Sequence, residues 1–389
     1  MTPYDEQQFP GRKKLETWGL NRCPLTELSR LEPHVQTLSI SFTSDRPEQF
    51  SIYLDDPDVL TAYALAFAPQ TYQRVIDALT GILNRLPAFP ERPLRVLDLG
   101  SGIGSAALAA YDLLHAFTGL PPQITCVDWS TSALQVASEL IPGVTTKRAD
   151  LRTFQPSSSY DIILSSFAFN EAFPIPSEAQ HVLRTLNASL TEDAPSFLLL
   201  LEPADRTVVP KLHLLRSLLS DLPLYAPCPH NRTCPMIATQ DGVCHDVRPF
   251  KPERTLNLLY RHTRNTFSEV KYALLAFGRK GGPDAIGLND PDFLRMVGPM
   301  NKAKGLLTCR VCMGDGALRR LEIPSSALTT ERRHTLLEHS RGDCAWLAGS
   351  LELRKQLEND TIQRTADLHF TNEPDVTLDD DLEDFTFSI

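Results

Sequence analysis

Between residues 94 and 201, short apolar runs alternate with stretches in which apolar residues recur every three or four positions. Residues 94–99, 124–127, 144–147, 161–165 and 197–201 read as strands, and 105–117, 130–140 and 177–190 as helices. This alternation predicts an α/β, doubly wound, mostly parallel sheet, because each crossover lays its helix on a sheet face. Upstream, residues 58–86 carry apolar positions at helical spacing broken by Pro69, which predicts two helices. The first forty-five residues, of mixed polarity with scattered prolines, read as a loose arm. Downstream come a helix at 208–219, a Pro- and Cys-bearing loop at 223–249, a strand at 266–277 and a strand pair at 306–311 and 318–323. A closing helix at 329–357 and an aperiodic, disordered acidic tail complete the pattern. The expected segments are therefore an arm (1–50), a helical subdomain (51–90), a sheet core (91–222) and a cysteine-rich loop (223–250). Strands completing the sheet (251–345) and a helix with the tail (346–389) follow.

Composition narrows the classes. Apolar residues make up 42% and charged residues 22% of the chain, and no apolar run approaches a membrane span, so no membrane partner is expected. The first fourteen residues resemble neither a secretory signal nor an Arg-rich transit peptide. A cytoplasmic location is expected, or a mitochondrial one with an atypical signal if the chain is eukaryotic. In a reducing compartment the eight cysteines read as structural, metal-binding or reactive. The net charge of −10 is unevenly placed: residues 373–389 hold seven acids and no base, while residues 206–320 hold eighteen Lys and Arg against nine Asp and Glu. Arg248, Lys251, Arg254, Arg261, Arg264, Arg295, Lys302 and Lys304 are candidate phosphate contacts there, the alternative being a solvated face.

The run Leu94-Arg-Val-Leu-Asp98-Leu-Gly100-Ser101-Gly102-Ile-Gly104 is a strand, three alternating glycines and a helix start. Such a turn lets a ligand approach the backbone at a helix N-terminus. Dinucleotide enzymes use a similar loop, so the acids decide. Asp128, in Val127-Asp128-Trp129, can accept both ribose hydroxyls, and Asp150 stands where a third strand's acid would flank an adenine. The constellation resembles class I S-adenosylmethionine-dependent methyltransferases. That resemblance implies Asp98 near the methionine end, Gly100, Ser101, Gly102 and Gly104 under the cofactor, and Asp128 and Trp129 at the ribose. After the fourth strand, Phe167-Ala-Phe-Asn170-Glu171 lacks the Asn/Asp-Pro-Pro-aromatic signature; Asn170 and Glu171 are candidate catalytic or substrate contacts, or a helix cap.

Cys228, Cys234 and Cys244 lie within seventeen residues of a proline-rich loop with few apolar side chains, so a metal would supply fold energy. Cys312 can provide a fourth thiolate, and Cys₄ ligation suits either zinc or an iron–sulfur cluster. His230 and His245 are further zinc ligands on this reading; Cys23, Cys126 and Cys344 stand alone as packing residues. Ala226-Pro-Cys228 also looks like the nucleophile of RNA cytosine-C5 methyltransferases, but it falls beyond the fifth strand rather than the fourth.

The glycine loop, Ala-Pro-Cys228-Pro-His, Cys234-Pro, Cys244-His, Phe293-Leu-Arg295-Met-Val-Gly-Pro299 and Cys312 before an Asp-Gly turn together resemble one family over roughly residues 52–345. It is the methyltransferase-like small-ribosomal-subunit assembly factors, mitochondrial in eukaryotes and with bacterial relatives. The resemblance implies a [4Fe–4S] cluster on Cys228, Cys234, Cys244 and Cys312, with zinc as alternative. It further implies binding of S-adenosylmethionine or its product, and of small-subunit ribosomal RNA during assembly or translation, with no DNA partner. Departures are Ala204 for a common Gly, Arg341 for a common Trp, and the extra thiol Cys309. An active rRNA methyltransferase and a small-molecule methyltransferase with a structural zinc loop are the alternatives.

Overall fold

A computed structural model describes residues 9–43, 54–87, 89–239, 242–261, 268–347, 352–356, 359–363 and 368–370. The chain begins with helices α1 (Gly11–Leu20), α2 (Glu32–Thr43), α3 (Pro57–Ala66) and α4 (Ala68–Leu83). Over its described residues, 9–43, the expected loose arm is thus mostly helical. Pro10 precedes α1 and Pro33 lies in the first turn of α2, positions where proline costs no helix hydrogen bond. Leu28, Leu31, Val35 and Leu38 are buried against α3, which supplies the energy that local sequence lacks. Between α3 and α4 the break falls at Phe67, and Pro69 occupies the first turn of α4.

The sheet core follows as β1 (Arg95–Leu99), α5 (Ser105–Thr118), β2 (Gln123–Asp128), α6 (Thr131–Leu140), β3 (Thr145–Arg148) and β4 (Ile162–Ser166). It continues with α7 (Phe169–Ala172), α8 (Pro176–Ala188), β5 (Phe197–Glu202), α9 (Val209–Leu218), β6 (Leu224–Ala226), β7 (Asp246–Pro249), α10 (Arg254–Leu259) and β8 (Glu269–Gly278). The order is β3-β2-β1-β4-β5-β8-β6, parallel through β5, with β8 antiparallel between β5 and β6 and also paired to β7. The first five strands have the doubly wound order. All six residues of β5 are buried, as a strand covered on both faces requires. One face packs α4, α5 and α6; the other packs α8 and α9.

The remaining strands build a second sheet instead of completing the first. β9 (Phe293–Met296), β10 (Asn301–Ala303), β11 (Leu306–Met313), β12 (Leu318–Pro324), α11 (Thr330–Glu338), β13 (Cys344–Leu347), β14 (Glu352–Gln356), β15 (Asn359–Gln363) and β16 (Leu368–Phe370) form it. Its own core holds Leu294, Met296, Leu307, Val311, Leu321 and Ile323, with Leu336 from α11. The expected closing helix is therefore only α11. It ends at Glu338, where His339 turns to extended backbone, and in the turn that follows Gly342 takes φ +105° with its missing Cβ 2.5 Å from the Asp246 carboxylate. The acidic tail lies outside the described residues.

A buried ion network joins the sheets. Asp246 of β7 pairs with Arg295 of β9 and, at 3.0 Å, with Arg248; Arg248 pairs with Asp343 at 2.8 Å, and His339 meets Asp343 at 3.1 Å. Arg295 also donates to the Gly342 carbonyl at 2.8 Å. Arg248 and Arg295 are consequently struck from the phosphate-facing set: their charges are consumed inside the protein. Replacing Asp246 by Ala would strand the Arg295 cation without water, and should lower unfolding stability by about 3–5 kcal/mol. Removing Asp221, which pairs with Arg184 on the surface, should cost under about 1 kcal/mol. Urea denaturation of the two variants checks the contrast.

Candidate functional site

The glycine turn is built by the two strands beneath it. Gly100 and Ser101 both donate to the Val127 carbonyl, at 2.8 and 3.1 Å, which pulls the chain off β1 toward the end of β2. Gly100, Gly102 and Gly104 have φ of 72°, 53° and 80°, values that side-chain-bearing residues rarely adopt. A Cβ on Gly104 would press on Ala137 and Ile141, whereas one on Gly102 would meet only Leu54, at 3.8 Å. Gly102 therefore offers the bare backbone, and Gly104 the close packing of α5 on α6.

Two carboxylates end the strands beside this turn. Asp128 accepts from the Gly102 and Ser130 amides at 2.8 and 2.9 Å, one on each oxygen, and each oxygen keeps a further lone pair for a ligand hydroxyl. Ser130 caps α6 and donates its hydroxyl to Asp55 at 2.8 Å, a residue for which the sequence carries no signal. Asp98 is fully buried; one oxygen accepts from Ala107 at 3.1 Å, and the other has no partner among the described residues. Burial, with Asp128 adding repulsion, pushes its pKa up to about 8. The Ser105 hydroxyl is likewise buried and unpaired. An orphaned acceptor beside bare glycine backbone fits the cationic amino-acid end of S-adenosylmethionine. Trp129 is exposed, and Asp150 is held by Arg152 at 2.6 Å.

Beyond β4 the chain turns through Phe167 at φ 60°, with the Arg74 guanidinium 5.1 Å from its ring. The methyl of Ala168 lies 2.3 Å from where a Gly100 Cβ would stand, so this turn closes over the glycine loop. Asn170 does not cap α7. Its amide donates to Glu202 at 2.9 Å and its side chain accepts from Lys211 at 3.3 Å; Glu171 is exposed. Glu202, a buried carboxylate at the end of β5, is a site residue the sequence reading missed. With Phe169, Phe173 and Lys211 it lines a cavity of about 10 Å³, room for roughly one water.

The cysteine loop lies between the sheets. Cys228 packs against the first sheet's core, while Cys234 and Cys312 share a small apolar cluster with Met236 and Val297, Cys244 at its edge. Burial first, then Cys228 and Cys244, push the Cys234 thiol up to about 12. Burial and the other three thiols push Cys312 well above its ordinary value. The four thiols thus sit within one another's electrostatic reach, although among the described residues no three His, Cys, Asp or Glu side chains are gathered as a metal-ligand set. The donors suit a thiophilic metal; the geometry is that of separated thiols. His230 meets Cys312 at 3.3 Å through Nε2 and Arg216 at 3.3 Å through Nδ1. Cys309 faces the opposite side of β11, in the second sheet's core, because strand side chains alternate. Among the remaining basic candidates Lys251, Arg254, Arg261, Lys302 and Lys304 are exposed, Arg261 pairing with Glu32 at 3.3 Å; Arg264 lies outside the described residues.

A family model described as mitochondrial small ribosomal subunit Rsm22 matches residues 57–339, most of the chain. The chain belongs to this family. The matched span runs from α3 past α11, so it holds the glycine turn and all four cysteines. A human relative, the mitochondrial ribosome assembly protein METTL17, is 26% identical to this Rsm22-family chain over 284 residues, 68% of this chain and 56% of the relative. The chain spans about half the length of this curated relative. Solved structures similar to it include an S-adenosylmethionine-dependent methyltransferase from Mesorhizobium loti (17% identity, TM-score 0.32, 54% of this chain and 98% of that one). Another is the plantazolicin methyltransferase BpumL with S-adenosylhomocysteine (14%, 0.36, 65% and 98%). No helix among the described residues is long and apolar enough to cross a membrane.

The raised pKa of Asp98 has a definite sign. Its folded value, about 8, exceeds the ordinary carboxyl value of about 4, so the stability it confers is complete below about pH 4 and lost as pH rises through about 8. In the cofactor-free protein, Asp98→Asn should gain stability relative to the parent between about pH 5 and pH 9. Thermal midpoints across that range check this, and a constant difference would mean that Asp98 titrates normally.

Proposed function

We propose that this Rsm22-family chain is a small-subunit ribosomal RNA-binding assembly or translation factor on a methyltransferase scaffold. On this reading the cleft at Gly100–Gly104 holds S-adenosylmethionine or its product, and Cys228, Cys234, Cys244 and Cys312 hold a [4Fe–4S] cluster. The observation that carries the reading is the placement of these four thiols, three of them buried and Cys244 partly exposed, within one another's electrostatic reach at the seam of the two sheets, in a chain of a ribosomal family.

Each part has a physical support. Asp128 would take the ribose hydroxyls with the lone pairs its backbone bonds leave free, and the orphaned oxygen of Asp98 would face the ammonium. Bound S-adenosylmethionine supplies an activated methyl group, and the cluster a cross-link sensitive to iron and oxidant. Burial holds the Cys228 thiol above its ordinary value, and the Arg216 and Arg295 cations oppose that rise, so both favour the anionic sulfur that ligation needs. Binding rather than methylation is favoured by the acceptor side: Ala168 closes over Gly100, and the cavity beside Asn170 and Glu202 is far too small for a nucleobase. Lys251, Arg254, Lys302 and Lys304 are exposed cations available to phosphate.

Anaerobically purified protein should carry iron and sulfide and absorb in the visible range. Cys228→Ser and Cys312→Ser should each lose the iron together with RNA binding, while Cys309→Ser keeps both. Stoichiometric zinc without iron would refute the cluster and leave a four-cysteine structural site. Cross-linking with RNA sequencing, paired with modification mapping in a deletion strain, tests the rest. Small-subunit RNA recovered with every methyl group intact supports the binding role, and a missing methyl group would make the chain an rRNA methyltransferase.

A further inference from the structure

The second sheet has a recognisable winding. β9 and β10 act as one bent first strand: both pair antiparallel with β11. β11 pairs antiparallel with β12, α11 follows, β13 returns to pair antiparallel with β9, and β15 lies parallel to β12. With β14 added beside β15 and β16 beside β13 at the two ends of the sheet, a three-strand meander, a helix, a fourth strand on the first and a fifth alongside the third follow the strand order of the five-stranded Greek-key barrel. The second and third strands of that barrel form a face for oligonucleotides or oligosaccharides. Fold alone does not assign function, so the residues on that face decide.

On β11, Leu307, Cys309 and Val311 are buried, while Arg310 is exposed; on β12, Leu321 and Ile323 are buried, while Arg320 is exposed. The register sets Arg310 directly opposite Arg320. Like charges in that position repel, and no acid among the described residues pairs with Arg310. Arg320 has Glu322 at 3.1 Å, on a side chain that stays half exposed. Arg341, half-buried and donating to the Val243 carbonyl, has its pKa lowered first by burial and then by the cations of Arg295 and Arg310, so its charge lies near Arg310. At the turn joining β10 to β11, Lys304 is exposed as well. The face and the turn at its end carry Arg310, Arg320 and Lys304 against Glu322, a net positive charge that a polyanion would neutralise.

We propose that the β11–β12 face binds the phosphate backbone of single-stranded RNA, with Arg310 and Arg320 as the central contacts. This rests on the RNA-binding reading above and locates it. Neither strand carries an aromatic side chain, so base stacking is not offered there and recognition runs through guanidinium–phosphate pairs. Cys312 lies two residues beyond Arg310, on the same side of β11, packed with Cys234; the cysteine loop therefore walls one end of the face.

The test is fluorescence anisotropy of the full chain with a labelled single-stranded segment of small-subunit RNA and with the same segment as a duplex. Arg310→Glu with Arg320→Glu should weaken single-strand binding by at least about a hundredfold at low salt and reduce the salt slope by about two. Arg320→Glu alone turns repulsion with Arg310 into attraction while losing the Glu322 pair, so it should weaken binding by about tenfold with little change in the thermal midpoint. Arg184→Ala, in α8, should bind as the parent does. If the parent binds and the double variant binds equally well, this face is wrong and the RNA reading stands. Tighter binding to the duplex overturns the single-strand assignment, and a parent that binds neither form overturns both readings.

Discussion

Asp246 is a carboxylate almost without water, held between the guanidiniums of Arg248 and Arg295. Those cations come from different sheets, and Arg248 in turn holds Asp343 at the foot of β13. Charges taken this far out of water are tolerated only with fixed partners, so the network sets how the second sheet sits on the first. The loop with Cys228, Cys234 and Cys244 ends two residues before Asp246, and Cys312 is on β11, beside β9. The distance between the thiols on either side of the seam therefore follows from the ion network. Gly342 belongs to the same constraint, since its missing side chain is what lets the 339–343 turn close over Asp246.

The cofactor cleft follows a different logic. Its acids are kept close and only partly satisfied: Asp128 spends one lone pair per oxygen on backbone amides, and Asp98 leaves one oxygen unpaired. A protein selected for stability alone would have paired or removed the second group. The cost makes sense for a cleft whose ligand carries the compensating charge.

The parallel core was legible in the sequence because strands covered on both faces must be apolar throughout, and β1, β2, β4 and β5 fall within a residue or so of their apolar runs. The N-terminal helices were not. Their prolines stand at helix starts, where they do no harm, and the apolar positions of the 3-10 turn Leu25–Arg30 and of α2 make sense only against α3 and α10. Charge counting marked a basic segment yet included Arg248 and Arg295, since Arg295 finds Asp246 and Arg248 finds Asp343 by tertiary pairing, and the nearness of Asp246 to Arg248 in sequence does not reveal that the pair is buried. Cys312 was picked out by its neighbours in sequence, but only strand alternation separates it from Cys309. Asp55 and Glu202 lie at the cleft through tertiary approach alone.

The antiparallel insertion of β8 has a consequence for how the chain is made. β6 pairs only with β8 among the described strands, and the open side of β5 is also covered by β8. During synthesis from the amino end, β5 therefore waits with an unpaired edge, apolar from Phe197 to Leu201, while the cysteine loop and α10 emerge. Arg295 reaches Asp246 later still, and Cys312 last of the four thiols. A chain stalled before Gly278 presents a bare strand edge to its neighbours, the kind of surface that recruits other chains into aggregates.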